Sequence, residues 1–299
     1  MPTRYEPAID LDAVEAIDVH THVEADTCGH HSLDPELMDA SAAYFKSTDL
    51  RTPTVDQIAE HYRARSMAAV VFTVDAATAT GHPALSSEEI AEAAARNNDV
   101  LVPFGSVDPL KGTAAVDRAR RLVEEYGVRG IKLHPSLQGF APDDTAHYPL
   151  YEALQDVGAV VLFHTGQTGI GAGLPGGRGI RLRLSDPMRI DDVAAAFPEL
   201  RIIMAHPSVP WADEAIAIAT HKANVSIDLS GWLPRYFPTA LVRAAGRYLK
   251  HKVLFGSDFP LITPDRWRKS FADLDIPEEA RPLIMKHNAA RLLGLDGGE

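Results

Sequence analysis

The chain has 299 residues, of which 45% are hydrophobic and 23% charged, with 21 Gly and 21 Pro. This is an ordinary globular composition, neither disordered nor fibrous, and long enough for one large domain. A formal net charge of −12 argues against nucleic acid or an anionic membrane as partner. The single cysteine, Cys28, precludes an internal disulfide and fits a reducing compartment. No apolar run approaches the roughly 20 residues that span a bilayer. The first residues lack the uninterrupted apolar stretch of a signal peptide, so a cytoplasmic protein is expected.

Eight short apolar runs follow one another: Ala16–His22, Ala68–Asp75, Val100–Val107, Arg129–Pro135, Ala159–Gly166, Arg201–Pro207, Asn224–Ser230 and Lys252–Pro260. Most are near-continuous hydrophobic stretches, as expected for parallel strands buried on both faces. Segments with helical spacing lie between or after them: Val55–Ser66, Ser86–Asn97, Gly112–Tyr126, Tyr148–Val157, Pro187–Phe197, Trp211–Lys222, Pro238–Leu249 and Pro277–Leu293. Ser86 followed by Glu89 is a helix-start signature. Eight strand–helix alternations predict an α/β fold, a (β/α)8 TIM barrel, as a single domain over 1–299. An open doubly wound sheet would need a Gly-rich phosphate turn after its first strand, and Asp18–Glu24 has none. The first interval is long. It implies an insertion at about 23–54, on the face where barrel loops build active sites, hence a lid or pocket wall.

Polar residues at the strand ends carry the functional signal. Residues i and i+2 of a strand share a face, so His20 and His22 point together. Taken alone, the pair reads equally well as core histidines or as a chelate. Three other runs end in the same way, with His164, His206 and Asp258 each placed directly before a loop marker. In a barrel these five residues converge on one mouth, and a buried Asp is costly unless paired or bound to metal. Four imidazoles and a carboxylate suit a divalent cation, with zinc the first choice and manganese or another divalent ion also accommodated.

In combination and order, these motifs resemble the amidohydrolase superfamily. They are IDVHTH at Ile17–His22, GIKLHP at Gly130–Pro135, LFHTG at Leu162–Gly166, MAHPS at Met204–Ser208, LFGSDFP at Leu254–Pro260 and NAARLLGL at Asn288–Leu295. The likeness is to the amidohydrolase-related branch that includes aminocarboxymuconate-semialdehyde decarboxylase, γ-resorcylate decarboxylase and several C–C hydrolases. It spans Ile17 to Leu295. The resemblance implies a metal barrel in which His20, His22, His164 and Asp258 are ligands, Asp258 also takes a proton, and His206 is a catalytic acid/base. Lys132 matches the strand-four position that carries a carboxylated lysine in binuclear members. A structural ion pair is the alternative; His134 shares its strand face, and Lys132 and His134 are both candidates for substrate contact.

Two reactions fit that machinery. A divalent ion lowers the pKa of its water to about 7. A metal-dependent hydrolase is the leading expectation, with hydrolytic cleavage of a C–C bond beside a carbonyl of an aromatic-derived keto acid or β-ketoacyl thioester as the form considered. Non-oxidative decarboxylation of an aromatic or muconate-type acid is the alternative. The strand-six turn Ala205–Trp211 lacks a Gly-His-x-Gly-Glu pattern, which favours the hydrolase. Arg178, with Arg181 and Arg183, suggests an anionic substrate, and Trp232 an aromatic one. The partner expected is therefore a small anionic or aromatic molecule, with a homo-oligomer plausible from the family. A metal-dependent deoxyribonuclease would need a metal-bridging glutamate near strand four and a basic face, neither of which the sequence offers.

Overall fold

The eight apolar runs all form strands, which pair in parallel in chain order: β1 (Ala16–His22), β2 (Met67–Phe72), β3 (Leu101–Ser106), β4 (Gly130–Leu133), β5 (Val160–His164), β6 (Arg201–Ala205), β7 (Val225–Asp228) and β8 (Val253–Leu254). The computed structural model describes residues 3–45 and 52–297. β1 and β8 close the circle through Val19 N–H to Phe255 O (3.0 Å), Asp258 N–H to His20 O (3.0 Å) and His22 N–H to Phe259 O (2.8 Å). Helices fill the intervals: α1 (Pro35–Phe45), α2 (Val55–Arg63), α3 (Ala77–Thr80), α4 (Ser87–Ala95), α5 (Thr113–Glu124), α6 (Pro135–Gln138), α7 (Tyr148–Asp156), α8 (Met188–Ala196), α9 (Ala212–His221), α10 (Thr239–Gly246), α11 (Pro264–Ala272) and α12 (Asn288–Leu293). The fold is the expected (β/α)8 barrel.

Strand alternation sorts the core into two layers. Met67, Ala69 and Val71 of β2 pack in one cluster with helix residues such as Ile90, Leu122 and Leu154. Val70 and Phe72 join Val102, Phe104, Leu162 and Ile203 in the other. Thr54 caps α2 with a reciprocal Gln57 bond, and Ser86 accepts the Glu89 N–H at 3.2 Å, as the sequence pattern implied.

Element boundaries differ from expectation where polar residues trail an apolar run. The run Lys252–Pro260 contributes only two residues to β8; beyond Leu254 the chain follows β1 through the backbone bonds of Phe255, Asp258 and Phe259. Gly256 is required there: a Cβ would sit 2.9 Å from Ser230 Cβ and 3.1 Å from His20 Cβ. Helix α11 was not anticipated, although Thr263 as N-cap and Pro264 at the first turn are both start signals. The expected helix Pro277–Leu293 begins at residue 281 and passes through a π-turn at Leu283–His287. Within the expected insertion, α1 is formed and residues 46–51 lie outside the described residues. Among the described residues no helix is long and apolar enough to cross a membrane.

Candidate metal centre

The C-terminal ends of β1, β5, β6, β7 and β8 bring His20, His22, His164, His206, Asp228 and Asp258 together. His20 is fully buried, and its Nδ1–H donates to Asp228 Oδ2 at 2.9 Å. That bond directs the other ring nitrogen inward. His20 Nε2 lies 3.3 Å from His22 Nε2 and 3.4 Å from Asp258 Oδ1, and His22 Nε2 lies 3.2 Å from Asp258 Oδ1. Ligands about 2.1 Å from a tetrahedral ion stand about 3.4 Å apart, so this triangle has the size of a metal-ligand face. Its chemistry agrees, since imidazole nitrogens and a carboxylate crowded this closely need a shared proton or cation. His20, His206 and Asp228 form a second group of compatible spacing.

The remaining histidines line up beside this triangle. His206 Nε2 is 2.9 Å from His164 Nδ1, and His206 Nδ1 is 2.9 Å from Ser230 Oγ. His164 is 5% exposed, and its Nε2 is buried without a hydrogen-bond partner. An orphaned buried imidazole nitrogen is also a free donor for an ion, although His164 belongs to neither group of compatible spacing. His134 stacks flat on His164, with ring centroids 3.7 Å apart and planes at 8°. Its Nδ1 accepts the Leu137 N–H at 3.3 Å as the cap of α6, and Gln138 Oε1 accepts its backbone N–H at 2.7 Å.

Electrostatics keep His20, His134, His164 and His206 neutral, the state that ligates metal. Burial, reinforced by the Lys132 charge, pushes His20 down to about 3. Burial likewise lowers His134, His164 and His206. The carboxylates stay ionised although burial opposes it: hydrogen bonds from His20 and Ser230 hold Asp228 well below the ordinary range. His22 and His20 do the same for Asp258. Behind them, burial raises Asp18 to about 6 despite hydrogen bonds from Ser257 and Tyr62, whose hydroxyl donates to Asp18 Oδ2 at 2.7 Å.

Lys132 points inward and is fully buried. Its ammonium lies 3.3 Å from His20 Nε2 and 5.1 Å from the centroid of Phe72. Burial lowers it to about 8, opposed by the charges of Asp228 and Asp258. Among the described residues no carboxylate touches it directly, so the simple ion pair considered from sequence is replaced by a cationic side chain sharing the lone pair of His20.

The cluster forms the floor of a cavity of about 390 Å³. Leu33, Met38, Phe45, Leu137, Ile170, Trp232 and Ile262 supply much of its wall, and α1 contributes one side, so the insertion is a pocket wall. Trp232 and His134 line this cavity. Arg178 does not. It is paired with Glu36 and lies 3.6 Å from Asp34, lining a separate 290 Å³ cavity. Its charge ties the β5 loop to α1. Arg181 lines that same second cavity, Trp267 is buried in the core with its indole N–H on Leu229 O, and His30 pairs with Asp26 at the surface. Asp228 was missed from sequence: it lies inside the run Asn224–Ser230 and is followed by Leu229 rather than a loop marker, so a lone charge within an apolar strand was the signal available.

A family model described as amidohydrolase matches residues 17–295. The chain belongs to the amidohydrolase family. No curated protein matches it in sequence. Solved structures resemble this amidohydrolase over nearly its whole length. An uncharacterized TIM-barrel protein from Bordetella bronchiseptica is 22% identical, with a TM-score of 0.76, covering 95% of this chain and 99% of that one. A dihydroxybenzoic acid decarboxylase from Polaromonas, solved with bound manganese and the inhibitor 2-nitroresorcinol, is 17% identical, with a TM-score of 0.66 and coverages of 95% and 98%. The 5-carboxyvanillate decarboxylase from Sphingomonas paucimobilis is 15% identical, with a TM-score of 0.64 and coverages of 94% and 99%. At these identities the likeness establishes the fold.

Proposed function

We propose that this amidohydrolase is a metal-dependent carboxy-lyase that removes CO2 from a small aromatic carboxylic acid. The observation that carries the reading is a donor cluster of His20, His22 and Asp258 at the floor of a largely apolar cavity. Such a wall favours loss of a neutral molecule from a desolvated carboxylate, because burying a charge away from water is costly unless it is paired. Two of the structural relatives are decarboxylases of hydroxylated benzoic acids, which supports the same choice. The hydrolase expected first from the strand-six turn therefore becomes the second reading.

His20, His22, His164 and Asp258 would hold the ion; manganese in the Polaromonas relative argues for testing it beside zinc. A divalent ion supplies Lewis-acid polarisation of a substrate oxygen when bound. Trp232 and Phe45 offer faces against which a ring can stack. The reaction breaks the bond from ring carbon to carboxylate and puts a proton on that carbon. His206 is the acid/base that carries the proton: it lies next to the cluster and lines the cavity, and being neutral at rest it first takes a proton from solvent and then passes it to that carbon as CO2 leaves.

Asp258 keeps hydrolysis as the second reading. It is held ionised by His22 and His20 and can accept a proton from attacking water. Incubation of the manganese- and zinc-loaded protein with hydroxybenzoates in 18O-water separates the two. Release of CO2 with no label in the organic product supports the lyase; labelled product without CO2 refutes it in favour of the hydrolase.

A further inference from the structure

We infer that Asp228 is a positioning residue that sets the tautomers of His20, His206 and His164 through one hydrogen-bonded relay, so that Nε2 of His20 and Nε2 of His164 are left without a proton, the state that ligates metal. This goes beyond the carboxy-lyase reading and needs only the cluster itself. Each link follows from counting protons. Asp228 is an ionised carboxylate that only accepts, so the bond at 2.9 Å requires the proton on His20 Nδ1 and leaves Nε2 bare. The Ser230 hydroxyl donates its one proton to Asp228 Oδ1. Towards His206 Nδ1, 2.9 Å away, Ser230 Oγ can then only accept, so His206 also carries its proton on Nδ1. His206 Nε2 is left as an acceptor, and at 2.9 Å it takes the Nδ1–H of His164.

The relay ends at His164 Nε2, which it leaves without a proton. That atom is buried and has no hydrogen-bond partner among the described residues. The relay thus accounts for an orphan that no local feature explains. Asp228 is built to start it. It is fully buried, and the backbone N–H groups of Ser230 (2.8 Å) and His206 (3.3 Å) also donate to its Oδ1. A carboxylate with this many donors is locked in one orientation. Gly231 protects the Ser230–His206 link, since a Cβ there would lie 2.5 Å from His206 Nδ1.

Long-range 1H–15N correlation spectra of the full-length protein read the tautomers directly. His20, His206 and His164 should all show Nδ1–H. Asp228→Asn places an amide N–H opposite His20 and should convert part or all of His20 to the other tautomer. Ser230→Ala cuts the relay below Asp228. It should leave His20 unchanged while His206 and His164 lose their single tautomer. Competition against a chelator reads Zn2+ affinity, expected to fall on the order of 10- to 100-fold in Asp228→Asn and by less in Ser230→Ala. A proton on Nε2 of His206 or His164 in the native protein overturns the relay, as does an Asp228→Asn variant with unchanged tautomers. If Asp228→Asn does not fold, Ser230→Ala decides: disturbance of His20 equal to that of His206 refutes it.

Discussion

Replacing His134 by Phe tests how the pocket grips its substrate. The stack on His164, at 3.7 Å between centroids, is one a phenyl ring can keep, so packing is largely preserved. Two polar functions are lost. The Leu137 N–H loses its acceptor at Nδ1, which removes the cap of α6 and should cost about 1 kcal/mol. That is a shift in Tm of about 1–2 °C for a domain of this size. The second loss is functional. Because Nδ1 accepts from Leu137, the His134 proton resides on Nε2, a donor left for the cavity that His134 lines. A hydrogen bond to a charged oxygen contributes about 1.5–3 kcal/mol, or roughly 10- to 150-fold in affinity. Calorimetric titration with benzoate, salicylate and phenol should therefore show weaker binding of the two carboxylates to His134→Phe, with phenol nearly unaffected. Equal benzoate affinity in variant and native protein, with the small Tm shift present, would refute the argument that His134 donates to the substrate.

Three further outcomes are expected. Gly231→Ala forces a Cβ to within 2.5 Å of His206 Nδ1 at a residue with φ of +75°, so turnover should fall by about 100-fold. Zn2+ affinity should stay within a few-fold, because His22 and Asp258 are untouched. Arg178→Ala releases α1 from the β5 loop at a half-exposed pair, and KM should rise by no more than about fivefold, with metal content unchanged on elemental analysis. Glu88 is held below its ordinary range: burial opposes this, but the hydrogen bond and charge of Arg118, with Arg121, prevail. A depressed carboxylate contributes stability above its unfolded pKa and loses it as pH falls through the folded value. The Tm gap between native protein and Arg118→Ala should accordingly be full above about pH 5 and shrink below about pH 4; a gap that widens on acidification contradicts the sign.

The barrel was legible because its signal is repeated. Eight apolar runs with helical spacing between them leave few alternative topologies, and each run formed its strand. Strand ends were less legible, because an apolar run ends where hydrophobicity ends, whereas pairing ends where the neighbouring strand stops. Lys252–Pro260 shows this: Phe255 is as buried as Leu254, yet the sheet is left after Leu254. The ligand candidates His20, His22 and Asp258 were legible as polar residues terminating apolar runs. Arg178 misled because charge in a Gly-rich loop carries no direction, and only its pairing with Glu36 shows which way it turns. The tautomers had no sequence signal, since they depend on Asp228, Ser230, His206 and His164 meeting across three strand ends.

Backbone conformation at those ends shows what the site demands of the fold. His206 and Asp258 both have positive φ, 71° and 70°, a region that costs a residue with a Cβ roughly 1–2 kcal/mol. Neither position is glycine, since each must present a side chain to the cluster. The turn is what swings that side chain from the strand direction towards the axis. Each strained residue is held by a bond to the cluster itself: Asp258 N–H donates to His20 O at 3.0 Å, and His206 N–H to Asp228 Oδ1 at 3.3 Å. Strain of this kind persists only where surrounding contacts over-determine it. Asp228 therefore does two things at once, bonding the ring of His20 and the backbone of His206. Disturbing it should move the ligand His20 at β1 and the acid/base His206 at β6 together, on two strands that are not neighbours in the sheet.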